Sequence, residues 1–224
     1  MDNWGKTDGI TPSARVRFKC QGCGKCCYRV KEGLPVDSLD IYRMTRYLKQ
    51  KDEDIQCIDD FLAKYAEPCL LDECGYFLYT LKTVGEENAC IFLKDKRCSI
   101  HDEKPRVCKL YPYVVEPKAD GKHNYLLSYE YPHHFSGPVV QTKSWMKKYL
   151  LEEDRRFLQM YFFYAASIAK ALRKVPDNMR TQALLQFHRL QYSEFDLEQP
   201  FLEQYSRNQT KLSAILNRME TGKM

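Results

Sequence analysis

Residues 18–30 read FKCQGCGKCCYRV, placing Cys20, Cys23, Cys26 and Cys27 within eight positions, with Gly22 and Gly24 between them. So many thiols in one short turn can be oxidised to disulfides, packed into a core, or gathered around a metal. A zinc ion needs several soft donors converging at about 2.3 Å, and the thiolate is the softest donor a protein carries. A C-x2-C turn brings two of them from neighbouring loop positions, and glycine permits the backbone conformations needed to fold around an ion. The turn is therefore read as the heart of a small metal-binding lobe.

The rest of the composition supports metal over disulfide. Ten cysteines occur, at 20, 23, 26, 27, 57, 69, 74, 90, 98 and 108, all in the first half of the 224 residues. A chain of this length buries a core without disulfide staples. The opening MDNWGKTDGITPSARVRFKC has no apolar signal-peptide core, and Asp2 stands where a basic segment would begin. A cytoplasmic location is expected, and there thiols are kept reduced. The longest apolar-rich run, MYFFYAASIAKALR from Met160, is shorter than the roughly 20 residues that span a bilayer, so no membrane segment is expected. Lysines and glutamates interleave and the net charge is only +5, which argues against a nucleic-acid partner.

Working outward, LPVDSLDIYRMTRYLK carries a helix start, with Asp37 or Ser38 as cap and Leu39, Tyr42, Met44, Tyr47 and Leu48 at helical spacing. A second helix is expected in DEDIQCIDDFLAKYA, with Ile55, Ile58, Leu62 and Tyr65 on one face. Strand composition predicts a hairpin from Tyr76–Val84 and Ala89–Leu93, and another within PYVVEPKADGKHNYLLSYEY around the turn ADGK. From about Thr142 the apolar spacing is helical, interrupted at Pro176 and Pro200. The fold class is thus α+β: a cysteine-rich lobe with short β-hairpins over 1–140, followed by an all-helical region over 141–224 packed on it.

Cys20, Cys23 and Cys26 match the first three positions of the bacterial ferredoxin spacing, but position 30 is valine, so a cluster would take its last ligand from elsewhere, with Cys90, Cys98 and Cys108 as candidates. A radical-SAM spacing is not completed after Cys27, and no glycine-rich dinucleotide-type loop follows a strand. Cys57, Cys69 and Cys74 read as structural. His101 reads as a structural or ligand-supporting imidazole, and His133 with His134 as a partly exposed turn.

CQGCGKCC, the helix with DIYRM, and CIFLKDKRCSIHDEKPRVCKLYPY together resemble the zinc- or iron-chelating cysteine-cluster (CxxCxxCC) family over roughly residues 18–116. The resemblance implies Cys20, Cys23, Cys26, Cys27, Cys90, Cys98 and Cys108 as metal-site positions. Lys104 stands where an arginine is usual, and His101 where many relatives carry tyrosine. Flagellin lysine N-methylases share this domain, although a shared domain does not fix a reaction.

Two functional classes remain. One is a metal-dependent enzyme using iron, as an ion or an iron-sulfur cluster, or zinc, for redox chemistry or methyl transfer to a protein lysine; seven thiols exceed one tetrahedral site. In that class Lys25, Arg29 and Arg106 are candidates to lower a thiol's pKa. The other is a non-enzymatic zinc-stabilised module whose helices bind a protein partner.

Overall fold

The computed structural model describes residues 7–221; the first six residues, Asp2 among them, and the last three lie outside the described residues. The architecture is α+β, with short antiparallel hairpins in the N-terminal and central parts and helices from Thr142 onward. Two compact units form, each from two stretches of chain: residues up to Pro35 with Leu81–Arg156, and Val36–Thr80 with the residues from Phe157. The compositional boundary at residue 140 falls within the strand Val139–Gln141.

The first unit is built from small antiparallel pieces. Its largest sheet has the order Thr7–Ile10, His123–Ser128, Tyr113–Pro117, so the expected ADGK hairpin forms and gains an edge strand from near the N-terminus. Arg15–Arg17 pairs with Val139–Gln141, in the register Val16 opposite Val140. The other expected hairpin is shorter than its composition suggested. Pairing covers only Thr83–Val84 with Ala89–Cys90, because Phe77–Leu81 pairs instead with Ala66–Leu70 and Leu93–Lys94 turns back on Arg97–Cys98 in a second hairpin. Asp95 and Lys96 form the tip of that hairpin with φ of 49° and 61°, the two left-handed residues that match the twist of a tight two-residue connection. Part of the interior is an aromatic cluster: Phe18 is buried, with the Tyr111, His134, Phe135 and Trp145 rings 5.4–6.2 Å from its own. Such edge-to-face contacts add to the gain from burial alone.

The second unit buries helical faces. Asp37 caps Ser38–Lys49, its carboxylate accepting from the Leu39 and Asp40 amides at 3.1 Å each. The next helix, Ile58–Tyr65, starts later than the apolar spacing from Ile55 suggests. Cys57 is extended there, and the Asp60 carboxylate accepts from its amide at 2.9 Å and its thiol at 3.2 Å, so the chain enters the helix only at Ile58. Leu39, Ile41, Ile58, Phe61, Phe157, Phe201, Tyr205 and Leu212 fill the core. Among its buried amides, Gln209 donates to Gln191 at 2.7 Å, and Gln191 donates to Ser38 at 3.2 Å.

Candidate metal centre

The cysteine turn is held on both sides by backbone. Gly24 has φ +70° and opens the 3-10 turn Lys25–Cys27 by accepting from the Cys27 amide at 2.9 Å. A Cβ at this position would lie 2.7 Å from the Lys96 carbonyl oxygen, so the turn sits directly on the tip of the hairpin that carries Cys98. Beyond the turn, Arg29 and Val30 donate their amides to the carbonyls of Glu87 and Asn88 at 2.9 and 3.1 Å, just ahead of Cys90. Cys108 is carried by the short helix Arg106–Leu110, where the Pro105 carbonyl accepts its amide at 2.9 Å.

These thiols influence one another's charge. Cys26 is lowered from an ordinary 9.0 to about 7, chiefly because the Cys27 thiol donates a hydrogen bond to it, with Lys104 assisting and burial opposing. Cys27 is correspondingly the partner that keeps its proton: its pKa is raised first by that bond, then by burial, and then by the negative charges of Cys26, Cys90 and Cys108. Burial pushes Cys90 up to about 11, with Cys98 and Cys26 adding to the effect. Cys98 is raised by burial against the pull of Lys104. Cys108 is only half-buried as a residue, yet burial is still the largest influence raising its thiol, followed by the charges of Cys90 and Cys26. Ionising all of these groups together is therefore unfavourable, and Lys104 supplies only one positive charge against them.

A second set of donors meets at Cys23. Its sulfur lies 3.5 Å from His133 Nε2 and 3.3 Å from His134 Nε2. All three donor atoms fall within 4.8 Å of one another. Both histidines ride on the short 3-10 segment Pro132–Ser136. This segment is tied to the chain entering the cysteine turn, since the Lys19 amide donates to the His134 carbonyl at 2.9 Å and the Phe18 amide to the Pro138 carbonyl at 3.1 Å. Gly137 permits the approach, because a Cβ there would meet Lys19 Cβ at 2.4 Å. His134 is buried and its Nδ1 lies 3.1 Å from the Tyr111 hydroxyl, whereas His133 is exposed. Burial holds the His134 pKa below 6.5, with the neighbouring His133 and Lys25 acting in the same direction, so its imidazole is neutral, the form that binds a metal.

All seven cysteines of the expected set belong to the first unit, and Cys57, Cys69 and Cys74 to the second. All ten carry free thiols. Cys57 caps a helix, and Cys74 donates both its amide and its thiol to Asp72, at 2.9 and 2.6 Å. His101 is exposed and lies 3.4 Å from Lys104 Nζ. The cation that acts on Cys26, Cys98 and Cys108 is Lys104. Of the candidates expected from sequence, Arg106 is instead buried against Asp154, at 3.5 Å, and Lys25 acts on His134. The approach of His133 and His134 to Cys23 is what sequence reasoning missed. Their adjacency was visible, but their sulfur partner lies 110 and 111 residues away.

A family model described as "Putative zinc- or iron-chelating domain", CxxCxxCC, matches residues 19–132, just over half of the chain. The chain belongs to this family. A protein of Methanocaldococcus jannaschii described as uncharacterized is 30% identical over 103 residues, covering 45% of this chain and 47% of the relative. The chain thus spans about half the length of this curated relative. No solved structure matches it. The CxxCxxCC family match takes in all seven cysteines and ends one residue before His133.

The donors present suit the ion that the family description implies. Thiol and imidazole are the preferred ligands of zinc and suit iron as well. Thiolates at about 2.3 Å and imidazoles at about 2.0 Å from one tetrahedral ion stand about 3.5 Å apart, which is the spacing between Cys23 and the two imidazoles. Among the described residues no helix is long and apolar enough to cross a membrane.

Proposed function

We propose that this protein binds zinc or iron through the thiols of Cys20, Cys23, Cys26, Cys27, Cys90, Cys98 and Cys108, and that the ion is needed for the first unit to hold its shape. The reading rests on the cysteine turn, seated at Gly24 on the tip of the hairpin that carries Cys98, and on the way charge at Cys26, Cys90 and Cys98 raises the pKa of neighbouring thiols. A divalent cation removes that penalty, and the binding free energy becomes folding free energy. Metal analysis of reduced protein purified without oxygen tests it. Stoichiometric zinc or iron is expected, and Cys90→Ser with Cys108→Ser should abolish most of it. A reduced protein that takes up neither metal and folds equally well after both substitutions overturns the reading.

An enzymatic role, whether redox chemistry or methyl transfer to a protein lysine, draws support from the seven thiols, which exceed the four donors of one tetrahedral site. The non-enzymatic alternative is a zinc-stabilised module that presents a surface to a protein partner. Visible charge-transfer absorption of the anaerobic protein would favour iron-sulfur chemistry, and colourless protein with stoichiometric zinc would favour the module.

A further inference from the structure

Resting on the metal-binding reading, we infer that Cys23, of the seven thiols, joins His133 and His134 in a second metal centre of mixed donors, apart from Cys26, Cys27, Cys90, Cys98 and Cys108 and directed at a borderline divalent cation such as zinc or ferrous iron. The three donor atoms lie within 4.8 Å of one another and come from two elements that only the folded unit brings together. The sulfur-to-nitrogen distances of 3.5 and 3.3 Å, the reach of thiol–imidazole hydrogen bonds, are also those of donors sharing one ion. His134 is only 2% exposed, so its imidazole is not a solvated surface group. Its two ring nitrogens are both engaged, Nε2 toward Cys23 and Nδ1 toward the Tyr111 hydroxyl.

That pairing is the arrangement expected of a metal-binding histidine. A ligand at Nε2 leaves the proton on Nδ1, and an oxygen there fixes both the tautomer and the ring orientation. The Phe18 ring, 6.2 Å from His134 and nearly perpendicular to it, packs against the same imidazole. The His133 ring lies 4.2 Å from that of His134, and its own Nε2 is aimed at the same sulfur. Two imidazoles and one thiolate are one donor short of a closed tetrahedral set. A cation held here retains a position for water or another exogenous ligand, whereas closed four-thiolate sites do not. Exposure of His133 places that position on the solvent side. The Tyr111 hydroxyl lies 3.1 Å from His134 Nδ1. Tyr111 is a positioning residue for this centre.

The test is titration of the full-length, reduced, metal-free protein with zinc, and with cobalt as a spectroscopic probe, in competition with a chromophoric chelator. The wild type should take up one more equivalent than His133→Ala, whose substitution lies at an exposed position and leaves the circular dichroism unchanged. Tyr111→Phe keeps the stoichiometry but weakens that equivalent by about 10- to 100-fold, as loss of an outer partner of a metal-binding histidine does. Cobalt spectra of the wild type minus those of His133→Ala should show a single thiolate-to-metal band with tetrahedral or five-coordinate character. If His133→Ala and His133→Ala/His134→Ala bind as many equivalents as the wild type with unchanged affinity, the mixed centre does not exist, even where Cys23→Ser lowers metal uptake. Should wild-type protein bind no metal at all, the metal-binding reading itself fails, and that result is distinct from the first.

Discussion

The two units bury opposite kinds of chemistry. Around Phe157, Phe201 and Tyr205 the second unit encloses hydrocarbon and aromatic rings, with the amides of Gln191 and Gln209 paired inside it. Around the cysteine turn the first unit encloses thiols whose charges conflict, with one lysine acting on three of them. A hydrophobic interior is stable without help because apolar area removed from water adds to the gain. Neutral thiols pack in the same way, but ionised thiols in such a cluster become favourable only when a cation joins them. Stability in the first unit should therefore depend on metal supply while the second remains indifferent to it.

The comparison can be broken most directly by chelation. Stripping the metal from reduced protein should abolish slow amide exchange across Tyr113–Pro117 and His123–Ser128, with a loss on the order of 10 kcal/mol, the scale of structural zinc sites. Exchange in Ser38–Lys49 and Phe201–Glu220 should stay slow. Equal loss in both sets of elements would erase the distinction.

The next largest effect belongs to the hydrophobic unit. Phe157 is fully buried, with the Phe201 and Tyr205 rings 5.6 and 5.0 Å away, so Phe157→Ala should cost about 3–5 kcal/mol in denaturant melts. Metal stoichiometry should be unchanged. Asp37→Ala removes the carboxylate that accepts two amides at the start of Ser38–Lys49 and should cost about 1 kcal/mol, again with metal retained.

The smallest effect is a pH dependence. Burial holds His188 below 6.5, against the opposing pull of Asp59. The unfolded chain therefore takes up this proton first as pH falls. Stability is complete above 6.5 and declines below it, through the window down to the lower native pKa. His188→Asn should lessen that decline without altering stability near pH 8, as thermal melts in matched buffers would show. A variant with the full acid decline of the wild type would remove His188 from the explanation.

Much of this architecture was legible in the order of residues. Asp37 before an apolar-periodic run marks a helix start, and ADGK between alternating strands marks a hairpin, because both signals depend on residues within a few positions of each other. The α+β class and the helices after Thr142 follow from the same short-range periodicities. The helix expected from Ile55 starts at Ile58 because a hydrogen bond to Asp60 overrides apolar spacing. The hairpin expected to run to Leu93 stops at Cys90 because a second tight turn competes for the same residues.

Spacing alone identified a soft-donor turn, since C-x2-C-x2-C-C is a local pattern with a chemical meaning that does not depend on the fold. It could not say which nitrogen would face which sulfur. That was decided by a handful of backbone hydrogen bonds between residues more than a hundred positions apart, Lys19 to His134 and Phe18 to Pro138, and by two glycines small enough to let chains touch. Contacts of that kind leave no periodic trace in a chain. They exist only once distant strands have paired and the entropy of closing the loops between them has been met.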